Sequence, residues 1–209
     1  MPSFGNIVVN GAVEGDLDEV VFERLVALVG ATPGNVYGRR GKRSLLAKVR
    51  GYNQAAQRSP WMVIVDMDRE FPCATPFLTR WLPDRAQYMC IRIAIQEIEA
   101  WLLADRARIA RFLGVAGSLV PRAPESLPDP KQTIVRLARR SRSRLIREGV
   151  VPRPGSGRDV GPAYTAELSR YVEKEWRPAE ASQKAPSLRR AIECLRRTVA
   201  TASSTNMVL

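Results

Sequence analysis

Two acidic motifs carry most of the chemistry open to this chain. The first is Val13-Glu14-Gly15-Asp16-Leu17-Asp18-Glu19, and the second is Val65-Asp66-Met67-Asp68. Glu14 falls in the turn after an apolar run, and Asp66 and Asp68 close the most apolar run of the chain, Trp61-Met62-Val63-Ile64-Val65. In extended backbone, residues two apart point the same way, so Asp66 and Asp68 are expected to face one pocket. Like charges held that close raise at least one pKa unless a cation lies between them. Hard carboxylate oxygens suit Mg²⁺ or Mn²⁺. Zinc is disfavoured, because histidine is absent and the cysteines at 73, 90 and 194 are far apart. Without imidazole, Ser/His/Asp and Cys/His relays and the HExxH zinc site are excluded as well. Plainer readings exist: Asp16 and Glu19 stand three apart, as a capping box requires, and Asp66 and Asp68 fit a solvated turn after a strand. Capping does not account for Glu14.

A third acidic stretch, Gln96-Glu97-Ile98-Glu99-Ala100-Trp101-Leu102-Leu103-Ala104-Asp105, opens a helix expected over 95–112 with a break near Asp105. Two residues apart on a helix diverge, so only one of Glu97 and Glu99 is expected to reach the strand ends. The other would serve the helix dipole.

The elements that must position these groups alternate between strand and helix. Strands are expected at Ile7 to Val9, Asn35 to Tyr37, Trp61 to Val65 and Tyr88 to Ala94. Helices are expected from Leu17 to a stop at Gly30, from Ser44 to Gln57 and, briefly, near Pro76 to Trp81. This order predicts an α/β fold, a mostly parallel sheet with flanking helices, in which ligands lie beyond the carboxyl ends of the strands. Glu14, Asp66 and Asp68 would then converge at one sheet edge, a geometry suited to metal-assisted phosphoryl transfer.

The second half offers no comparable strand. A Pro-rich bridge over 121–130 leads to a basic helix over 131–147, a Pro- and Gly-rich loop over 151–162, and helices near 163–176 and 187–198, with a frayed polar tail over 202–206. The expected division is a core over 1–115 and a basic, mostly helical C-terminal extension over 116–209.

Charge follows that division. The 209 residues hold 33 Lys plus Arg against 21 Asp plus Glu, a formal charge of +12. Residues 1–104 carry 12 basic and 11 acidic side chains, and residues 105–209 carry 21 and 10. Arg136, Arg139, Arg140, Arg142, Arg144 and Arg147 crowd one short segment with only Glu148 adjacent to offset them. A solvated helix face would explain some of this, but so dense a run calls for a polyanion, DNA before RNA, or for an acidic partner protein. The 45% apolar and 26% charged composition is that of a soluble globular protein. No signal-peptide pattern opens the chain and no run approaches a membrane span, so a cytoplasmic protein with buried thiols and no membrane partner is expected.

Taken together, the motifs resemble a TOPRIM-type catalytic core, the metal-binding domain of topoisomerases, primases and nucleases of the overcoming-lysogenization-defect type. The matching features are the Glu14-Gly15 turn and Asp66-Met67-Asp68. More closely, the chain resembles an uncharacterised bacterial family of TOPRIM-like proteins often encoded beside an ABC- or AAA-type ATPase in phage-defence operons. That likeness rests on Val13-Glu14-Gly15 with Asp18-Glu19, Gly41-Lys42 ahead of a helix, Val65-Asp66-Met67-Asp68, Ile98 to Asp105, and Asp129-Pro130-Lys131, all within residues 7 to about 140. The Arg69-Glu70 that follows Asp68 departs from the pattern.

The resemblance implies Mg²⁺ or Mn²⁺ held by Glu14, Asp66 and Asp68, with Glu19 and Glu99 as further acidic candidates. It also implies a phosphate role for Lys131 and an ATPase partner. The expected activity is metal-dependent nuclease action, with Lys42 and the six arginines on the phosphate backbone. The alternatives are a non-catalytic subunit that binds nucleic acid or an ATPase and, as a lesser reading, a phosphatase. Gly38-Arg39-Arg40-Gly41-Lys42-Arg43-Ser44 is a P-loop look-alike, but Val36 and Arg43 break the pattern, leaving at most a backbone phosphate contact at a helix N-terminus.

Overall fold

The protein is described by a computed structural model covering residues 7–67, 82 and 84–206. Asp68, Arg69, Glu70, Cys73 and the helix expected near Pro76 to Trp81 lie outside these residues.

Four strands, β1 (Val8–Val13), β2 (Thr32–Gly38), β3 (Trp61–Asp66) and β4 (Met89–Ala94), form one all-parallel sheet in the order β2-β1-β3-β4. Helix α1 (Asp16–Leu28) joins β1 to β2, and helix α2 (Lys42–Ala55) joins β2 to β3. Because β2 lies on one side of β1 and β3 on the other, the strand order reverses between β1 and β3. That reversal opens a crevice at their carboxyl ends.

Side chains alternate across the sheet as the pleat requires. Ala12, Val63, Val65, Ile91 and Ile93 pack with Leu45, Leu46, Val49 and Tyr52 of α2 in one buried cluster. On the other face Gly11 lies so close to Phe22 of α1 that a Cβ there would come within 2.9 Å of the ring. Coverage of both faces explains why Trp61 to Val65 is apolar at every position, with all five residues buried.

β2 is longer than the expected Asn35 to Tyr37 and contains Pro33 and Gly34. It is an edge strand, where a missing N–H costs no ladder bond. A register shift between Val9 and Gly11 accommodates the Asn10 side chain, whose Oδ1 accepts the Asn35 N–H at 3.1 Å.

The described residues fall into two compact units, one within 1–94 plus 189–209 and one within 95–188. This differs from a division at 115/116. The last helix runs from Pro186 to Asn206, past the expected end near 198 and through the tail expected to fray. Its residues from Arg189 onward belong with the sheet, as two contacts show. The Tyr88 hydroxyl donates to Thr205 Oγ1 at 2.9 Å, and Cys194 lies against Cys90. Both thiols are buried and free, and burial together with the neighbouring thiol pushes Cys90 well up.

The unit within 95–188 is helical. It contains α3 (Glu99–Ala104), α4 (Arg106–Leu113), α5 (Pro130–Arg139), α6 (Arg144–Val150), α7 (Tyr164–Lys174) and the short α8 (Pro178–Ala181). Trp101 and Trp176 are fully buried, and the Trp101 indole donates to Ser187 Oγ at 2.7 Å. The break at Asp105 forms as expected: its carboxylate caps α4 by accepting the Arg108 N–H and takes two side-chain bonds from Arg177, at 2.9 and 2.7 Å. The basic helix expected over 131–147 is two helices. α5 stops at Arg139, the Arg142 N–H turns to the Gly114 carbonyl at 3.0 Å, and Ser143 caps α6. Among the described residues no helix is long and apolar enough to cross a membrane.

Candidate functional site

The turns after β1 and β3 meet in the crevice where the strand order reverses. Glu14 Oε1 accepts the main-chain N–H of Asp66 at 2.8 Å, so the Glu-Gly turn and the start of Asp66-Met67-Asp68 touch at the carboxyl edge of the sheet. The expected juxtaposition of Glu14 and Asp66 is therefore present, while the Asp68 position lies outside the described residues.

The turn after β2 is fastened to the same place. Gly38 has φ +97°, and a Cβ there would sit 2.2 Å from the Val13 carbonyl oxygen, so the close approach needs glycine. Arg39, also left-handed at φ +60°, donates its main-chain N–H to the Val13 carbonyl, and Gly41 donates to the Glu14 carbonyl at 3.0 Å. Lys42, the first residue of α2, places its Nζ 3.3 Å from the Met67 carbonyl. The Gly41-Lys42 motif thus ties both acidic turns together. A non-glycine residue with a left-handed backbone costs energy that the surrounding structure must offset, and such residues concentrate at functional sites.

One expectation for the first motif is revised. The N-cap of α1 is Gly15 and not Asp16, with no side-chain cap, so the capping box does not form. Asp16 is exposed. Asp18 is buried instead, with Oδ2 3.1 Å from where a Cβ on Gly15 would stand. Glu19, expected as a further metal ligand, pairs with Arg39 at 2.9 Å. Neither Arg39 nor its pairing with Glu19 is signalled in the sequence, because the contact joins residues twenty apart on different elements.

The chemistry of the donor set decides what cation fits. Glu14 and Asp66 offer only carboxylate oxygen, and Mg²⁺ is commonly held by one or two carboxylates, several waters and the substrate's phosphates. The two residues fit such an ion, although among the described residues no three His, Cys, Asp or Glu side chains gather closely enough to hold a metal.

A second acidic cluster lies within 95–188. The helix expected from Ile95 starts at Glu99, because Gln96 takes a left-handed φ of +66° and leaves Glu97 outside the helix. Glu97 and Glu99 consequently converge, where helical geometry predicted divergence. Lys131 Nζ lies 3.1 Å from Glu97 Oε1 and 3.6 Å from Glu99 Oε1, and the Lys131 N–H donates to Glu97 Oε2 at 2.9 Å. Glu99 is 2% exposed and accepts the Tyr164 hydroxyl at 3.1 Å. Burial, reinforced by the Glu99 carboxylate, pushes the Tyr164 phenol well up and keeps it a donor. Tyr164 carries no sequence signal, standing 65 positions from Glu99. Lys131 is brought together with Glu99 as a neutralising cation.

All six clustered arginines are exposed. Arg144 pairs with Glu148, Arg136 donates to Thr133 Oγ1 at 2.6 Å, and Arg147 donates to the Ser141 carbonyl. No protein-family model, curated protein or solved structure matches the chain.

Proposed function

We propose that the chain is a Mg²⁺-dependent phosphodiesterase acting on nucleic acid, with Glu14 and Asp66 as the described ligands and Asp68 as the third. The observation that carries this reading is the bond from the Asp66 N–H to Glu14 Oε1, which sets two carboxylate-bearing turns side by side in the crevice of a parallel sheet. When bound there, a divalent cation supplies charge neutralisation to the phosphate under attack. The chain's own groups do the rest. Glu14, fixed through the Asp66 amide, holds its carboxylate against the strand end, and Lys42 adds a cation at the rim that draws in phosphate. Exposed arginines within 95–188 hold the backbone without reading bases. The resemblance extends the proposal to a bacterial defence or DNA-processing role with an ATPase partner, in the cytoplasm.

Incubating the full chain with duplex and single-stranded DNA and RNA, with Mg²⁺, Mn²⁺ or chelator, tests the activity. Metal-dependent cleavage of at least one substrate is expected, and its absence from all of them overturns the catalytic reading. The non-catalytic alternative then stands, favoured by one observation: Lys131 is already neutralised by Glu97 and Glu99.

Replacing Arg139, Arg140 and Arg142 together with glutamine is expected to weaken binding evenly across sequences. It should also flatten the log-log salt dependence by roughly 0.9 for each duplex phosphate that is no longer neutralised. Titrations of parent and variant at two salt concentrations read this directly, and an unchanged slope means these arginines do not touch the backbone.

A further inference from the structure

The arginine-rich segment borders a groove lined by leucines as well as arginines. It encloses about 500 Å³ within 95–188, and its apolar lining includes Leu119, Leu127 and Leu137, with Arg136, Arg139 and Arg140 also lining it. Leu119 remains 38% exposed, a large apolar side chain left in water. Arg139 and Arg140 are exposed and enter no ion pair among the described residues.

We propose that this groove docks an acidic, amphipathic peptide segment of a partner protein, with apolar side chains seated on the leucines and carboxylates on the arginines. Charge complementarity selects the occupant. Three guanidinium groups around one depression favour carboxylates, which arginine binds in a planar two-pronged geometry. The leucine floor rewards an apolar anchor, the arrangement by which grooves receive amphipathic segments. Nucleic acid satisfies only half of this: phosphates would meet the arginines, but unpaired bases stack on aromatic faces, and among the described residues no aromatic side chain lines the groove. A seated peptide would cover Arg139 and Arg140, so it would compete with nucleic acid for those two groups. The inference stands independently of catalysis.

Selection from a peptide display library against the full chain, followed by anisotropy titration of the recovered peptides, tests it. Recovered sequences should combine Asp or Glu with Leu, Ile or Phe. Leu119→Ser and the double variant Arg139→Glu/Arg140→Glu should each weaken the peptides about tenfold or more, the loss expected when an interface anchor is removed. Leu119→Ser should leave duplex DNA affinity at the parent value. The proposal is overturned if no peptide is recovered, if the recovered peptides lack acidic residues, or if Leu119→Ser binds them like the parent. It is equally overturned if Leu119→Ser weakens duplex binding, since the groove then belongs to nucleic acid.

Discussion

Asp66→Asn is expected to remove divalent-cation binding and to lower metal-dependent cleavage by more than about 100-fold, because even groups one step removed from a metal cost 10–100-fold when lost. The fold should survive. Glu14 Oε1 is held by the main-chain N–H of residue 66, which asparagine keeps, so the junction of the two turns does not depend on the side chain being replaced. Removing one of two neighbouring negative charges also relieves repulsion. Calorimetric titration with Mn²⁺ measures the effect apart from catalysis, and a variant that binds Mn²⁺ with parental affinity shows that Asp66 is not a ligand. Glu14→Gln is the informative companion. Its amide oxygen can still accept the Asp66 N–H, so lost metal binding without lost stability would separate ligation from positioning.

Trp101→Ala is expected to destabilise the protein by about 3–5 kcal/mol, the cost of deleting a fully buried large aromatic side chain. Trp101 lies within the acidic stretch that carries Glu99, yet its surroundings are those of a core. Its indole donates to Ser187 Oγ, whose own N–H and hydroxyl both donate to Glu125 Oε1, and its carbonyl accepts the Trp176 indole at 3.3 Å. Trp101→Phe retains most of the volume and gives up the indole bond, so it should cost about 1–3 kcal/mol. Urea unfolding of the two variants checks the order. Equal costs would mean that the hydrogen bond, and not the buried volume, dominates at this position.

The separate roles of Glu99 and Trp101 within one short motif show what sequence can and cannot resolve. Spacing distinguishes polar from apolar positions, and it locates the break at Asp105 because a carboxylate ahead of a helical pattern is a capping signal. It misjudges Glu97 and Glu99, because the left-handed backbone at Gln96 delays the helix and brings the two carboxylates onto one lysine. It runs one helix through Ser141 because nothing local announces that the Arg142 N–H will bond to Gly114. It shortens β2 because Pro33 and Gly34 look like a turn, and only the edge position and the Asn10 side chain make them strand.

By itself, then, the sequence determined the alternation of strands and helices, the two-faced burial of β3, and the arrival of Glu14 and Asp66 at one sheet edge. Each follows from short-range periodicity and from the rule that strands joined by helical crossovers run parallel, so their carboxyl ends share an edge. Only the tertiary structure decided that Arg39 answers Glu19, that Lys131 and Tyr164 enclose Glu99, and that the final helix belongs with the sheet. Those partners stand 20, 32, 65 and 117 positions apart, the last being Tyr88 and Thr205. Pairings over such distances are selected by the packing of whole elements, which leaves no periodic trace in the residues that meet.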